Sequence, residues 1–219
     1  MSRKISPLAE HELPMTWAKT RAYIRADVER YLDNIGDRGS VLQRAFWRLL
    51  PNNQAIFWYR VSRYLYLNGW RHAAMLVFLF NQYLTRSEIP PATSIGPGCL
   101  IGHAVGVVLY GRIGANFTIY GQGGLGGGFG TEDIGGGRGY PLVGDNVSMA
   151  HFSAAHGPIR IGDGASFAPH GHVTRDVPAG AIVASAPSRV QRRGTAPVGA
   201  PPAAPADIAA TTEIGKGDL

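Results

Sequence analysis

Cys99 is the only cysteine in the chain, so no internal disulfide can form. That fits a reducing compartment such as the cytoplasm. Cys99 follows Gly98 and reads as a small core or corner residue rather than a reactive thiol. A long hydrophobic run is missing too, because the most apolar stretch, Ala73–Phe80, is too short to span a bilayer. The start, Met1-Ser2-Arg3-Lys4, leads into Pro, Glu and His, so no signal peptide is expected. Nor is there a nucleic-acid-binding motif, although arginines alternate with Trp and Tyr in the N-terminal part. The net charge of +6 draws on those arginines and on Arg189, Arg192 and Arg193. It is therefore read as attraction to an anionic cofactor or a membrane surface. A chain of 219 residues is long enough for one sizeable domain and an accessory segment.

Glycine, by contrast, is abundant at 30 residues, gathered between 96 and 180. The same region has a period. Ile89, Ile95, Ile101, Val107, Ile113 and Ile119 fall six apart. After a Gly-rich stretch the count resumes in register at Val143, Met149, Ala155, Ile161, Phe167 and Val173. A small residue follows many of them, as in Ile95-Gly96, Ile101-Gly102 and Val143-Gly144. Six is neither a helical period nor a two-residue alternation. It is the repeat of a parallel β-helix of short strands and tight corners, in which each coil buries its apolar row against the next.

Ahead of the repeats the pattern is helical. Trp17, Ile24, Val28 and Tyr31 or Leu32 recur at spacings that place them on one helix face. Gly36 and Gly39 bracket a turn, and Ser40 is a plausible N-cap for a helix through Leu50 that Pro51 stops. Phe57–Leu67 predicts another helix, ended by Asn68-Gly69. Trp70–Leu84 predicts a last one. It is apolar nearly all round at Ala73–Phe80, which predicts burial, between subunits for instance, with a membrane-interface face as the alternative. The chain divides into a helical segment over 1–87, a β-helix over 88–193 and an Ala/Pro-rich tail over 194–219 expected to be disordered. Residues 123–142 read as an excursion loop rather than strand.

Several segments resemble the hexapeptide-repeat acyltransferases, in particular the serine acetyltransferase-like branch that includes polysaccharide O-acetyltransferases. They are Arg60-Val61-Ser62-Arg63-Tyr64-Leu65-Tyr66, Glu88-Ile89-Pro90-Pro91-Ala92-Thr93-Ser94-Ile95-Gly96, Ile101-Gly102-His103-Ala104-Val105-Gly106, Leu125-Gly126-Gly127 and Ala186-Pro187-Ser188-Arg189-Val190. The resemblance implies a left-handed coil, a homotrimer or dimer of trimers with sites between subunits, and acetyl-CoA as donor. It implies His103 as general base, held by Glu88 where the family usually has Asp. It also exposes two departures. A family His-Pro pair that closes the excursion loop and helps bind the amino-acid acceptor is Tyr140-Pro141 here. The family Asp before the base, associated with the acceptor's amino group, is Gly102. Both point away from serine and, with the Ile-Pro-Pro-Ala opening, toward a sugar hydroxyl, with serine or a serine-like alcohol next. Tyr140 and Arg138 are expected to contact the acceptor. Gly126, Gly127, His151, Ala168 and Arg189 are expected to line the cofactor groove. No metal is expected.

The chemistry is consistent with these residue types. Acyl transfer from a thioester to an alcohol needs a base near neutrality, which imidazole supplies. A carboxylate fixes its tautomer and stabilises the imidazolium. The developing oxyanion needs backbone N–H donors, which a turn such as Gly126-Gly127 can offer. Arg189, Arg192 and Arg193 are candidate partners for phosphates.

Two rival readings remain open. His151 and His156 stand five apart, and His103 falls two coils earlier if the excursion removes about twelve residues from the count. That resembles the zinc-ligand spacing of γ-type carbonic anhydrases, with His103, His151 and His156 around a metal. The other reading is a catalytically inactive trimeric scaffold.

Overall fold

The computed structural model describes residues 15–36, 40–128 and 130–186. The expectations for residues 1–13, for Arg189, Arg192 and Arg193 and for the 194–219 tail lie outside the described residues.

Among the described residues four helices come first. Helix α1 (Trp17–Ile35) opens at Thr16, whose hydroxyl accepts from the Lys19 amide, and closes at Gly36 with φ 67°. Helix α2 (Val41–Arg48) opens on a capping box in which Ser40 and Gln43 bond reciprocally. Helix α3 (Pro51–Leu67) begins at Pro51, earlier than the expected Phe57. The proline that ends one helix also fits the first turn of the next, where its missing N–H is not needed. Helix α4 (Arg71–Thr85) buries Ala74, Asn81 and Thr85. The all-round burial expected of Ala73–Phe80 is not met within this chain: Met75, Leu76, Leu79 and Phe80 are exposed. Among the described elements its extensive neighbour is α3, which covers one of its sides.

The repeats then wind into three parallel sheets. The first face holds β1 (Ser94–Ile95), β4 (Arg112–Ile113), β7 (Leu142–Val143) and β10 (Arg160–Ile161). The second holds β2 (Leu100–Ile101), β5 (Thr118–Ile119), β8 (Ser148–Met149), β11 (Ser166–Phe167) and β13 (Ile182–Val183). The third holds β3 (Val108–Leu109), β6 (Gly124–Gly126), β9 (Ala154–His156) and β12 (His172–Val173). Each inward residue sits on its counterpart in the next coil, as in Ile101, Ile119, Met149, Phe167 and Val183. A second inward row, two residues earlier, carries Cys99, Phe117, Val147 and Ala165, all buried.

The strict count of six breaks once where the sequence suggests continuity. Val107 is buried but belongs to this second row, and Leu109 takes the strand register opposite Leu125. The corner at 103–106 is longer than its counterparts, and the step from Leu109 to Ile113 is shorter by the same amount, so the count recovers. The Gly-rich stretch also differs from the expectation. Gly124–Gly126 is strand, paired on both sides, and the excursion leaves the coil only after it. Neighbouring coils impose extended backbone on glycines that have little strand preference of their own.

The first coil has no coil above it, and the helices supply the missing partners. Arg60 on α3 grips Asp27 on α1 through Nε and Nη2 at 2.9 and 3.0 Å. The same guanidinium donates to the carbonyls of Ile95 at 2.5 Å and Gly96 at 2.6 Å. Arg63 donates to Pro91 and Ala92, and Arg30 to Gly98 and Phe117. The Tyr59 hydroxyl donates to Thr93 and accepts from the Ile95 amide, and Asp27 accepts the Cys99 amide at 2.8 Å. These arginines act on backbone, on Asp27 and, for Arg30, on the Thr118 hydroxyl. Burial works against the charge on Arg60, but Asp27 more than offsets it and holds the proton more tightly than usual. Burial, then the Asp27 charge, pushes the Cys99 thiol up to about 12.

Two outcomes follow for solution experiments. Arg60→Met should lower unfolding free energy by about 3–5 kcal/mol in urea titrations, because it leaves Asp27 buried without its counterion. A loss within the error of a surface substitution would contradict this capping role. Cys99 should resist thiol reagents at pH 8 in folded protein and react only on unfolding; prompt labelling of the native chain would contradict the burial.

Candidate functional site

Two groups of side chains form on adjoining parts of the coil. The first lies at the corner between the second and third faces. His103 follows β2 and is exposed. His151 occupies the equivalent corner two coils on, after β8. Their rings stand 5.1 Å apart, centroid to centroid. Tyr120, after β5 in the intervening coil, lies beside the pair, 6.4 Å from His103 and stacked on His151 at 5.3 Å and 27°. Beside this group, Phe152 stacks on His170 at 4.9 Å and 3°. Both of these hold left-handed backbone, φ 61° and 60°, where a bulky residue carries strain of about 1–3 kcal/mol.

Tyr120 was not singled out from the sequence, yet it explains Gly102. A side chain at 102 would run into the Tyr120 ring. The space where an acidic side chain would stand at 102 is thus taken by an aromatic ring from the next coil. In the two coils that follow, the same column carries Ala150 and Ala168, whose small side chains leave room beside His151.

The second group lies on the third face. Glu88 pairs as a bridge with Val108, and its carboxylate accepts the Tyr110 hydroxyl. The Tyr110 ring stacks on Tyr140 at 5.1 Å and 16°, and Tyr140 lies against Gly127. Burial, then the Glu88 hydrogen bond, pushes the Tyr110 pKa up, so its hydroxyl stays protonated and a donor. A cavity of about 320 Å³ opens beside Glu88, lined by Gln82, Tyr83, Arg86, Val107 and Val108.

The two groups are linked by backbone: the Ser87 hydroxyl donates to Ala104 at 2.7 Å, so Glu88 and His103 sit on adjacent stretches. Among the described residues no hydrogen bond joins Glu88 to His103; Glu88 is bonded to Tyr110 instead. Arg138 is exposed on the excursion, bridged to Asp133, which accepts the amides of Gly135 and Gly137 at 2.9 and 3.0 Å and so shapes the loop. Gly126 lies under the His156 ring.

His156 is apart from the His103–His151 pair. Its Nδ1 meets Nε2 of His172 at 3.0 Å across the third face. The set His103, His151 and His156 is therefore not brought together within one chain. Among the described residues no group of three or more His, Cys, Asp or Glu is placed to hold a metal ion.

With this geometry in place, comparison with known proteins is informative. No family model matches the chain. A serine acetyltransferase of Mycobacterium tuberculosis is 32% identical over 142 residues, 64% of this chain and 60% of that protein. A serine acetyltransferase of Staphylococcus aureus is 31% identical over 147 residues, 66% of this chain and 67% of that protein. The chain belongs to the serine acetyltransferase family. The coil is accordingly the left-handed β-helix of that family. Among solved structures, the soybean serine acetyltransferase complexed with serine matches with TM-score 0.66 at 27% identity, over 78% of this chain and 68% of that one. Isoform 3 from Entamoeba histolytica, in complex with cysteine, shares the fold at TM-score 0.67 and 24% identity. The chain spans only about three fifths of the M. tuberculosis family member.

The histidine pair gives a prediction. Burial, then the neighbouring His172, lowers the His156 pKa below its ordinary 6.5. A lowered value means the folded state prefers the neutral ring, so its contribution is full above pH 6.5 and declines as pH falls through the lowered value. Urea midpoints measured from about pH 7.5 down to 5 should fall, and His172→Ala should reduce the fall. An identical pH dependence in the variant would contradict the coupling.

Proposed function

We propose that this member of the serine acetyltransferase family is an acetyl-CoA-dependent O-acetyltransferase whose acceptor is a saccharide hydroxyl. The single observation that carries the acceptor is the replacement of two polar family positions by aromatic rings. Tyr120 fills the space above Gly102, and Tyr140 stacks on Tyr110 where the family has an acceptor-binding histidine. An amino acid acceptor needs counter-charges for its ammonium and carboxylate groups. A sugar offers apolar ring faces that lie well on aromatic rings, and hydroxyls that bond at their edges. Serine, which the soybean enzyme binds, is the second choice for this chain.

In this reading His103 takes the proton from the acceptor hydroxyl as its oxygen attacks the thioester carbonyl. Glu88, bonded to Tyr110 in this structure, is the carboxylate assigned to orient the imidazole and stabilise its charged form, a role that requires it to turn from Tyr110 to His103. The Gly127 amide, just past the paired strand that ends at Gly126, is the donor assigned to the developing oxyanion. The small side chains of Ala150 and Ala168 beside His151 are assigned to the narrow arm of coenzyme A. Arg138 reaches the acceptor from the loop. Three subunits complete the sites between neighbouring coils, in the cytoplasm where the donor is made.

Transfer of radiolabelled acetyl from acetyl-CoA to a panel of free saccharides and to L-serine tests the reading. A saccharide should be acetylated faster than serine. His103→Ala should lower the rate by about 10²- to 10⁴-fold, and Glu88→Gln by less. Transfer that survives His103→Ala unchanged would remove His103 from the chemistry, and preference for serine would overturn the acceptor.

A further inference from the structure

Helix α4 carries a face that stays exposed among the described residues. Trp70, Leu76 and Tyr83 are 68%, 69% and 77% exposed, and Met75, Leu79 and Phe80 are exposed beside them. The spacing of Met75, Leu76, Leu79, Phe80 and Tyr83 places them in one stripe, and Trp70 stands before its N-terminal end. The opposite side is spent on α3: Asn81 donates to the Ala55 carbonyl at 2.9 Å, and Ser62 to that of Ala74 at 2.9 Å. A contiguous apolar patch of this kind marks a protein or membrane contact.

Charge decides between them. From Arg38 to Ser87 the chain contains no Asp or Glu, while Arg48, Arg71 and Arg86 are exposed in that segment. Arg71 and Arg86 stand at the two ends of α4. Pairing this face with a second copy about a two-fold axis would bring arginine rims together with no carboxylate on the segment to answer them. An anionic lipid surface answers both features. Its headgroups supply negative charge, and its acyl boundary accepts the stripe. Trp70 at the N-terminal end of the helix and Tyr83 in its last turn are amphipathic rings that suit the interface. No described helix is long and apolar enough to cross a membrane, so the contact lies in the plane of the surface.

We propose that α4 docks this protein on an anionic membrane surface, with the stripe in the headgroup–acyl boundary and Arg71 and Arg86 on phosphates. This does not depend on the acetyl-transfer reading. It has a consequence for that site: Gln82, Tyr83 and Arg86, from the C-terminal end of the same helix, line the cavity at Glu88. A membrane-borne acceptor would arrive on that side.

Flotation of the untagged full chain with vesicles tests the proposal. Phosphatidylcholine vesicles are compared with vesicles containing about one quarter phosphatidylglycerol, with light scattering in parallel. The chain should float with the mixed vesicles and bind pure phosphatidylcholine at least about tenfold less. Met75→Gln with Leu76→Gln should abolish flotation; both side chains are exposed, and circular dichroism should confirm that the fold is kept. Arg71→Gln and Arg86→Gln should each weaken binding about fivefold, and added salt should weaken it further. Absence of flotation with mixed vesicles would overturn the proposal, as would flotation unchanged in the Met75/Leu76 variant. Failure to float together with loss of mass in that variant would assign the face to a second copy instead.

Discussion

Everything in this molecule hangs from the upper edge of its first coil. A parallel coil presents a row of amides and carbonyls to whatever lies above it, and at the first coil nothing of its own kind is there. Arg30, Arg60, Arg63, Tyr59 and Asp27 take that place. Such groups left without partners cost about 1–3 kcal/mol each, so the cap is a condition for the stack. It also explains why a chain with so many arginines buries two of them completely. Planar guanidinium groups with several fixed donors suit a row of carbonyls better than lysine would.

Once the top is fixed, the coils below carry side chains into columns, and the candidate site is two such columns brought side by side. It sits where the repeat departs from regularity. The longer corner at 103–106 pushes His103 outward, and the excursion that follows Gly126 returns Tyr140 onto Tyr110. Regular coil provides rigidity, and the irregular turns provide the chemistry. Phe152 and His170, held in strained backbone beside His151, belong to the same irregular corner, and no role is assigned to them.

The repeat was legible in the sequence because inward positions of a stack must be apolar and must recur. All twelve counted positions face the interior, Val107 on the neighbouring inward row. What was not legible depended on contacts between coils of unequal length. Tyr120 meets Gly102 and His151 only once the register across three coils is known. Tyr110 reaches Glu88 for the same reason. Gly124 and Gly126, on either side of Leu125, gave no strand signal because their extended form is imposed from both sides. Arg60 and Arg63 read as charge, and a sequence does not show that a charge faces a row of buried carbonyls. The exposed stripe on α4 read as buried because its composition resembles a core helix, and only the packing reveals that one side lacks a neighbour.

The central claim is that the corner at His103 and the furrow beside it accept a coenzyme A thioester. Calorimetric titration of coenzyme A into the metal-stripped protein tests it most directly, with His103→Ala alongside. The account predicts binding on the order of micromolar to both proteins, because the base acts on the acceptor and not on the donor. No binding to the stripped protein, with zinc recovered from the untreated sample, would contradict it.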